Sequence, residues 1–74
     1  MSHLPSLRAR ELIAILELLG FKKVRQKGSH AFYRHADGRT TLVPIHSGEQ
    51  IGRGLLRQIL REIEMSPEEF LKFF

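Results

Sequence analysis

Apolar residues at Ala9, Leu12, Ile13, Leu16 and Leu19 recur at the spacing of one helical face, which predicts a helix over Leu7–Leu19. Ser6 is placed to cap its start, and Gly20 to end it in a left-handed conformation. Leu18 falls outside the buried arc with Arg8, Arg10, Glu11 and Glu17. It is either a single exposed leucine or part of a protein contact. From Phe21 to Lys27 the pattern reads as a strand, with Lys22, Val24 and Gln26 on one side and Lys23, Arg25 and Lys27 on the other. Three cations sharing a side would repel one another if buried, so they mark a solvated or anion-facing surface.

Gly28-Ser29 makes a tight turn into a second strand, His30–His35. Here His30, Phe32 and Arg34 share one face and Ala31, Tyr33 and His35 the other. Pattern alone does not decide which aromatic enters the core; the one left outside suits stacking on a base. Ala36-Asp37-Gly38-Arg39 is a hairpin turn in which Gly38 supplies positive φ. Thr40–Ile45 is the third strand, rich in β-branched residues, with Pro44 confined to an edge or a strand end. His46–Gln50 reads as a loop. A second helix runs from about Arg53 to Glu64, burying Leu56, Ile59, Leu60 and Ile63 and stacking Arg53, Arg57 and Arg61 on another face. Ser66-Pro67-Glu68-Glu69 opens a short third helix through a capping box, with Met65 placed to staple onto Phe70. Phe70, Leu71, Phe73 and Phe74 are then expected to fold back and close the core.

The order is α-β-β-β-α with a short C-terminal helix. It predicts an α+β fold: a three-stranded antiparallel sheet with its helices on one face and the other face wet. A chain of 74 residues supports one domain, residues 1–74. Such a domain buries only about 60% of its unfolded surface, so any site is expected to be a surface groove rather than a deep cavity. The absence of cysteine excludes disulfides and thiolate metal sites. No apolar run reaches the ~20 residues that span a bilayer, and Met1–Pro5 lacks the apolar run of a signal peptide. A cytoplasmic protein with no membrane partner is the expectation. Net charge of +4 with histidines neutral favours a negatively charged partner.

The four histidines, His3, His30, His35 and His46, include no pair at helical ligand spacing and no accompanying carboxylate cluster, so neither a metal nor another cofactor is expected. Ser29 adjoins His30, but neighbours in sequence rarely align as nucleophile and base. No glycine-rich loop follows a strand and opens a helix, which speaks against nucleotide binding of that kind. RNA cleavage asks for less. The substrate brings its own nucleophile, the 2′-hydroxyl, and the protein must move protons and stabilise charge on phosphorus. A histidine suits either proton role near neutral pH, and arginine and lysine supply the electrostatics. His30 follows Lys27, Gly28 and Ser29, with Arg25 and Arg34 close in sequence. On residues alone, a turn or capping histidine is still the better reading of His30.

Several blocks occur together in order: Leu19-Gly20-Phe21, Arg25-Gln26-Lys27-Gly28-Ser29-His30, Arg34-His35 before Asp37-Gly38, Val43-Pro44-Ile45-His46, and Gly54-Leu55-Leu56-Arg57-Gln58-Ile59-Leu60. In these the chain resembles, from Glu11 to Phe70, the HicA (YcfA-like) toxins of bacterial HicA–HicB toxin–antitoxin pairs. The resemblance implies a double-stranded-RNA-binding-domain-like fold and the activity of an endoribonuclease, an mRNA interferase, and the lack of a metal-ligand constellation makes a metal-independent one the expectation. The resemblance further implies a HicB-type antitoxin partner and a catalytic role for His30 as general acid or base. Lys23, Arg25, Lys27, Gly28, Ser29 and Arg34 are the expected RNA-binding residues. His46 also matches a family position and is read as structural. Leu55 stands where that family usually has a hydroxyl residue. The competing readings are a non-catalytic RNA-binding module using the same basic face, and a protein-interaction domain that answers an acidic partner.

Overall fold

The computed structural model describes residues 4–45 and 50–74. Of the expected loop His46–Gln50, residues 46–49 lie outside them, as do the role assigned to His46 and His3, and Gln50 begins a strand instead. In chain order the elements are β1 (Leu7–Arg8), α1 (Ala9–Leu18), β2 (Lys22–Lys27), β3 (His30–Arg34), β4 (Thr40–Pro44), β5 (Gln50–Ile51), α2 (Arg53–Glu62) and α3 (Pro67–Leu71). Strands β2, β3 and β4 form an antiparallel meander in that order. Pro44, which has no N–H for a ladder, closes β4 at the sheet edge.

The alternation in β3 and β4 decides which face is covered. Ala31, Tyr33, Thr41 and Val43 are buried, whereas His30, Phe32, Arg34 and Leu42 are not. The buried set meets Leu12, Ile15 and Leu16 of α1 and Leu56, Ile59 and Leu60 of α2 in one core, so both helices lie on that face and the other is open. Thr41 Oγ1 donates to Glu62 Oε1 at 2.7 Å and ties the middle of β4 to the end of α2. This is the α+β, double-stranded-RNA-binding-domain-like arrangement expected from the order of elements.

Four local expectations change. Helix α1 starts two residues later than expected, at Ala9: Leu7 and Arg8 are taken up in a short antiparallel ladder with Ile51 and Gln50, and Arg8, not Ser6, is the N-cap. Arginine has no acceptor for the first-turn amides, so only the return half of a capping box is made, with Arg8 N–H donating to Glu11 Oε1 at 2.7 Å. Ile15 enters the core, while Ile13 only packs at its margin. At the C-terminus Phe70 is fully buried, but Phe73 and Phe74 stay exposed; Phe74 only meets the Phe70 ring edge-on, at 5.4 Å. The fourth change, in β2, reshapes the site itself.

Candidate functional site

Two rows of side chains cross the open face of the sheet in register. Lys27, His30 and Pro44 form one; Arg25, Phe32 and Leu42 form the next. A third row, Lys22, Arg34 and Thr40, lies beyond them. Apart from Pro44, the first two rows and the turn Gly28-Ser29 line a groove of about 610 Å3. The turn fits because Gly28 takes φ +58°, a region in which a Cβ is strained, and because its missing side chain leaves the backbone approachable. Ile45 N–H donates to Ser29 O, which anchors the turn to the chain just past β4. His30 is the first residue of β3, exposed, and its ring makes no hydrogen bond among the described residues. It stands beside Lys27, its partner across the ladder. The Arg25 guanidinium lies 5.7 Å from the centroid of the Phe32 ring.

The alternation expected in β2 is broken. The register shifts between Lys23 and Arg25, so Val24 is a bulge residue and every side chain before it changes sides. Lys23 pairs with the buried Tyr33 and belongs to the helix-covered side, where its Nζ donates to Gln26 Oε1 at 3.1 Å. Lys22 takes its place on the open face, opposite Arg34. Of the residues singled out from sequence, the groove therefore brings together Arg25, Lys27, Gly28, Ser29 and His30. Arg34 shares the open face but lies one row beyond, and Lys23 does not share it. Leu42 is a groove residue that the sequence pattern did not single out, and Phe32 is one of the two aromatics between which it left the choice open. The signal for Leu42 was available: it is an apolar residue in the outward phase of a strand whose inward residues are Thr41 and Val43.

The choice between aromatics is settled by burial. Tyr33 is 3% exposed and joins the core. Burial and the nearby Glu17 carboxylate push its phenol pKa above the ordinary value. Phe32 is left on the open face, half-buried.

His35 occupies a different environment. Its Nε2 lies 3.1 Å from Leu19 O, its Nδ1 accepts from Asp37 N–H at 3.1 Å, and its ring meets Phe21 edge-on at 5.1 Å. It joins the end of α1 to the β3–β4 hairpin and is a packing residue. Among the described residues no carboxylate lines the groove at His30. Among them, too, no group of three histidine or carboxylate side chains is placed to hold a metal, and no helix is long and apolar enough to cross a membrane.

Fold and groove together define a small basic α+β domain that presents a solvent-facing histidine, flanked by cations, on an uncovered sheet. The family model of the HicA toxin of bacterial toxin–antitoxin pairs matches residues 9–65, and the chain belongs to that family. It is thus the toxin member of such a pair, with an antitoxin as its partner. No curated protein matches the chain.

Proposed function

We propose that the protein is an endoribonuclease that cleaves mRNA in the groove at His30. One observation carries the reading beyond family membership. An exposed histidine, without a partner among the described residues, shares an open groove with Arg25 and Lys27, and none of the described carboxylates lines it. The RNA 2′-oxygen attacks the adjacent phosphorus, the P–O5′ bond breaks, and the products end in a 2′,3′-cyclic phosphate and a 5′-hydroxyl. His30 either takes the proton from the 2′-hydroxyl or gives one to the departing 5′-oxygen, and solvent water serves the other transfer. Lys27 and Arg25 stabilise the charge that develops on the phosphoryl oxygens. Gly28 and Ser29 let the phosphate come close to the turn.

This chemistry needs no metal, so purified protein should cleave a single-stranded mRNA fragment in EDTA and leave cyclic phosphate ends. Retention of RNA without cleavage would replace this reading with the non-catalytic binding module. Neither retention nor cleavage would leave a protein-interaction domain. The antitoxin is proposed to be of HicB type and acidic, covering His30 and meeting the surrounding cations with carboxylates.

A further inference from the structure

We propose that Phe32, Leu42 and Arg25 form a nucleobase subsite beside His30, so that the groove takes an unpaired strand and rejects a duplex. The proposal deepens the endoribonuclease reading and rests on it for the identity of the polymer. A polyanion alone would need only cations. This groove instead has an apolar floor: Phe32 and Leu42 are neighbours across β3 and β4, both on the side of the sheet the helices leave open. Leu42 is 46% exposed, although it lies in a strand whose inward positions are filled. Arg25, the third member of the row, sits over the Phe32 ring. Such a pair offers a planar base two complementary surfaces, an aromatic face and a guanidinium plane.

The placement of the row matters as much as its composition. Along β3, Phe32 is two residues from His30, a step of about 6.6 Å. The same step on the other side leads to Arg34 and its partner Lys22. The apolar row thus lies between two cationic rows. An extended strand can lay one base on the apolar row while its flanking phosphates meet Lys27 with His30 on one side and Lys22 with Arg34 on the other. In an A-form duplex the base faces are stacked on one another and cannot reach the floor of this groove. Selection for an unpaired strand follows from the floor, not from the charge.

The test uses the wild-type chain and 2′-O-methyl RNA dodecamers, which lack the nucleophile and cannot be cleaved by the proposed route. Anisotropy titrations compare the free strand, the same strand paired to its complement, and an abasic dodecamer of equal charge. The free strand should bind more tightly than the duplex. Phe32→Leu keeps an apolar side chain on an open face, so the fold should hold; thermal melting checks this. It should weaken free-strand binding about tenfold, the scale of one lost base stack, and leave the abasic strand unaffected. Leu42→Ser should shift the same measurement in the same direction. Equal affinity of wild type for duplex and free strand would overturn the proposal, as would undiminished free-strand binding by Phe32→Leu. A Phe32→Leu protein with full RNA affinity that no longer captures its antitoxin would overturn it in favour of a protein contact. Because these ligands are not cleaved, the two readings fail separately. Loss of binding in Phe32→Leu without any cleavage by wild type removes the ribonuclease, whereas His30-dependent cleavage with unchanged Phe32→Leu binding removes only the base subsite.

Discussion

Between Lys23 and Arg25 the β2 ladder gains one residue, and Val24 absorbs it. The consequence is chemical: Lys22, Arg25 and Lys27 face outward, and Lys23 does not. Replacing Arg25 and Lys27 together by alanine should lower the slope of log affinity against log salt by about 1.4 for a single strand, ~0.7 per lost phosphate contact. Lys23→Ala should leave that slope unchanged; an equal drop in Lys23→Ala would show that the bulge does not persist in solution. Strict alternation could not anticipate this, because a bulge leaves no reliable mark in a run of exposed polar residues. The other strands were readable because β3 and β4 each have a covered and an open side. Gly20 makes the opposite case. Its φ is +100°, and a Cβ at this position would stand 3.0 Å from His35 Nε2, so both backbone and neighbour demand glycine. Gly20→Ala should therefore destabilise the fold by more than the ~1 kcal/mol of an ordinary left-handed penalty, read from urea midpoints. His35→Ala should likewise cost stability, about 1 kcal/mol for its lost hydrogen bonds, with RNA cleavage retained in the folded protein.

Helix α3 is short, and its start is held by a reciprocal cap: Glu69 N–H donates to Ser66 Oγ at 3.1 Å and Ser66 N–H to Glu69 Oε1 at 2.9 Å. The second of these bonds holds the Glu69 carboxyl below its ordinary pKa. In the β3–β4 hairpin, Arg39 N–H and then the Arg39 side chain do the same for Asp37. Both carboxyls have folded-state pKa values below the unfolded ones. Their stabilisation is complete above the unfolded values, at about pH 5 and higher, and is lost as pH falls through the folded values. Asp37→Asn with Glu69→Gln should flatten the acid limb of a stability–pH curve while changing little at neutral pH beyond the lost hydrogen bonds. Ser66→Ala should cost about 1 kcal/mol. The capping box was legible because its residues are local and chemically specific. The β1–β5 ladder was not: it joins residues more than forty apart, each strand is only two residues long, and Leu7-Arg8 also fits the helical period. The terminal phenylalanines misled for a related reason. Hydrophobicity says that Phe73 and Phe74 would gain from burial, but Phe70 already fills the site under α3.

For the whole molecule the main feature is the division between a covered and an uncovered sheet face. Lys22, Arg25 and Lys27 of β2 and Arg34 of β3 share the open side, and none of the described carboxylates lines the groove at His30. Leu18, 76% exposed on α1, belongs to the helix layer. It does not stand beside His30; the apolar surface next to the histidine comes from Phe32 and Leu42. An antitoxin that inhibits by covering the groove should therefore protect the amides of β2 and β3 from hydrogen exchange and leave the Leu18 turn of α1 unchanged. Inhibition with β3 as open as in the free toxin would show that the antitoxin acts at a distance. Complementary charge on such a partner should also make association fall steeply with salt.

The central claim is that His30 moves a proton during RNA cleavage. The most direct measurement is the cleavage rate of one RNA by wild type and by His30→Ala, in EDTA, with the fold of both checked by thermal melting. His30 is exposed and unpaired among the described residues, so the variant should melt as wild type does. Its rate should fall by at least about a hundredfold, with RNA binding largely retained. A folded His30→Ala protein that cleaves at the wild-type rate would contradict the account.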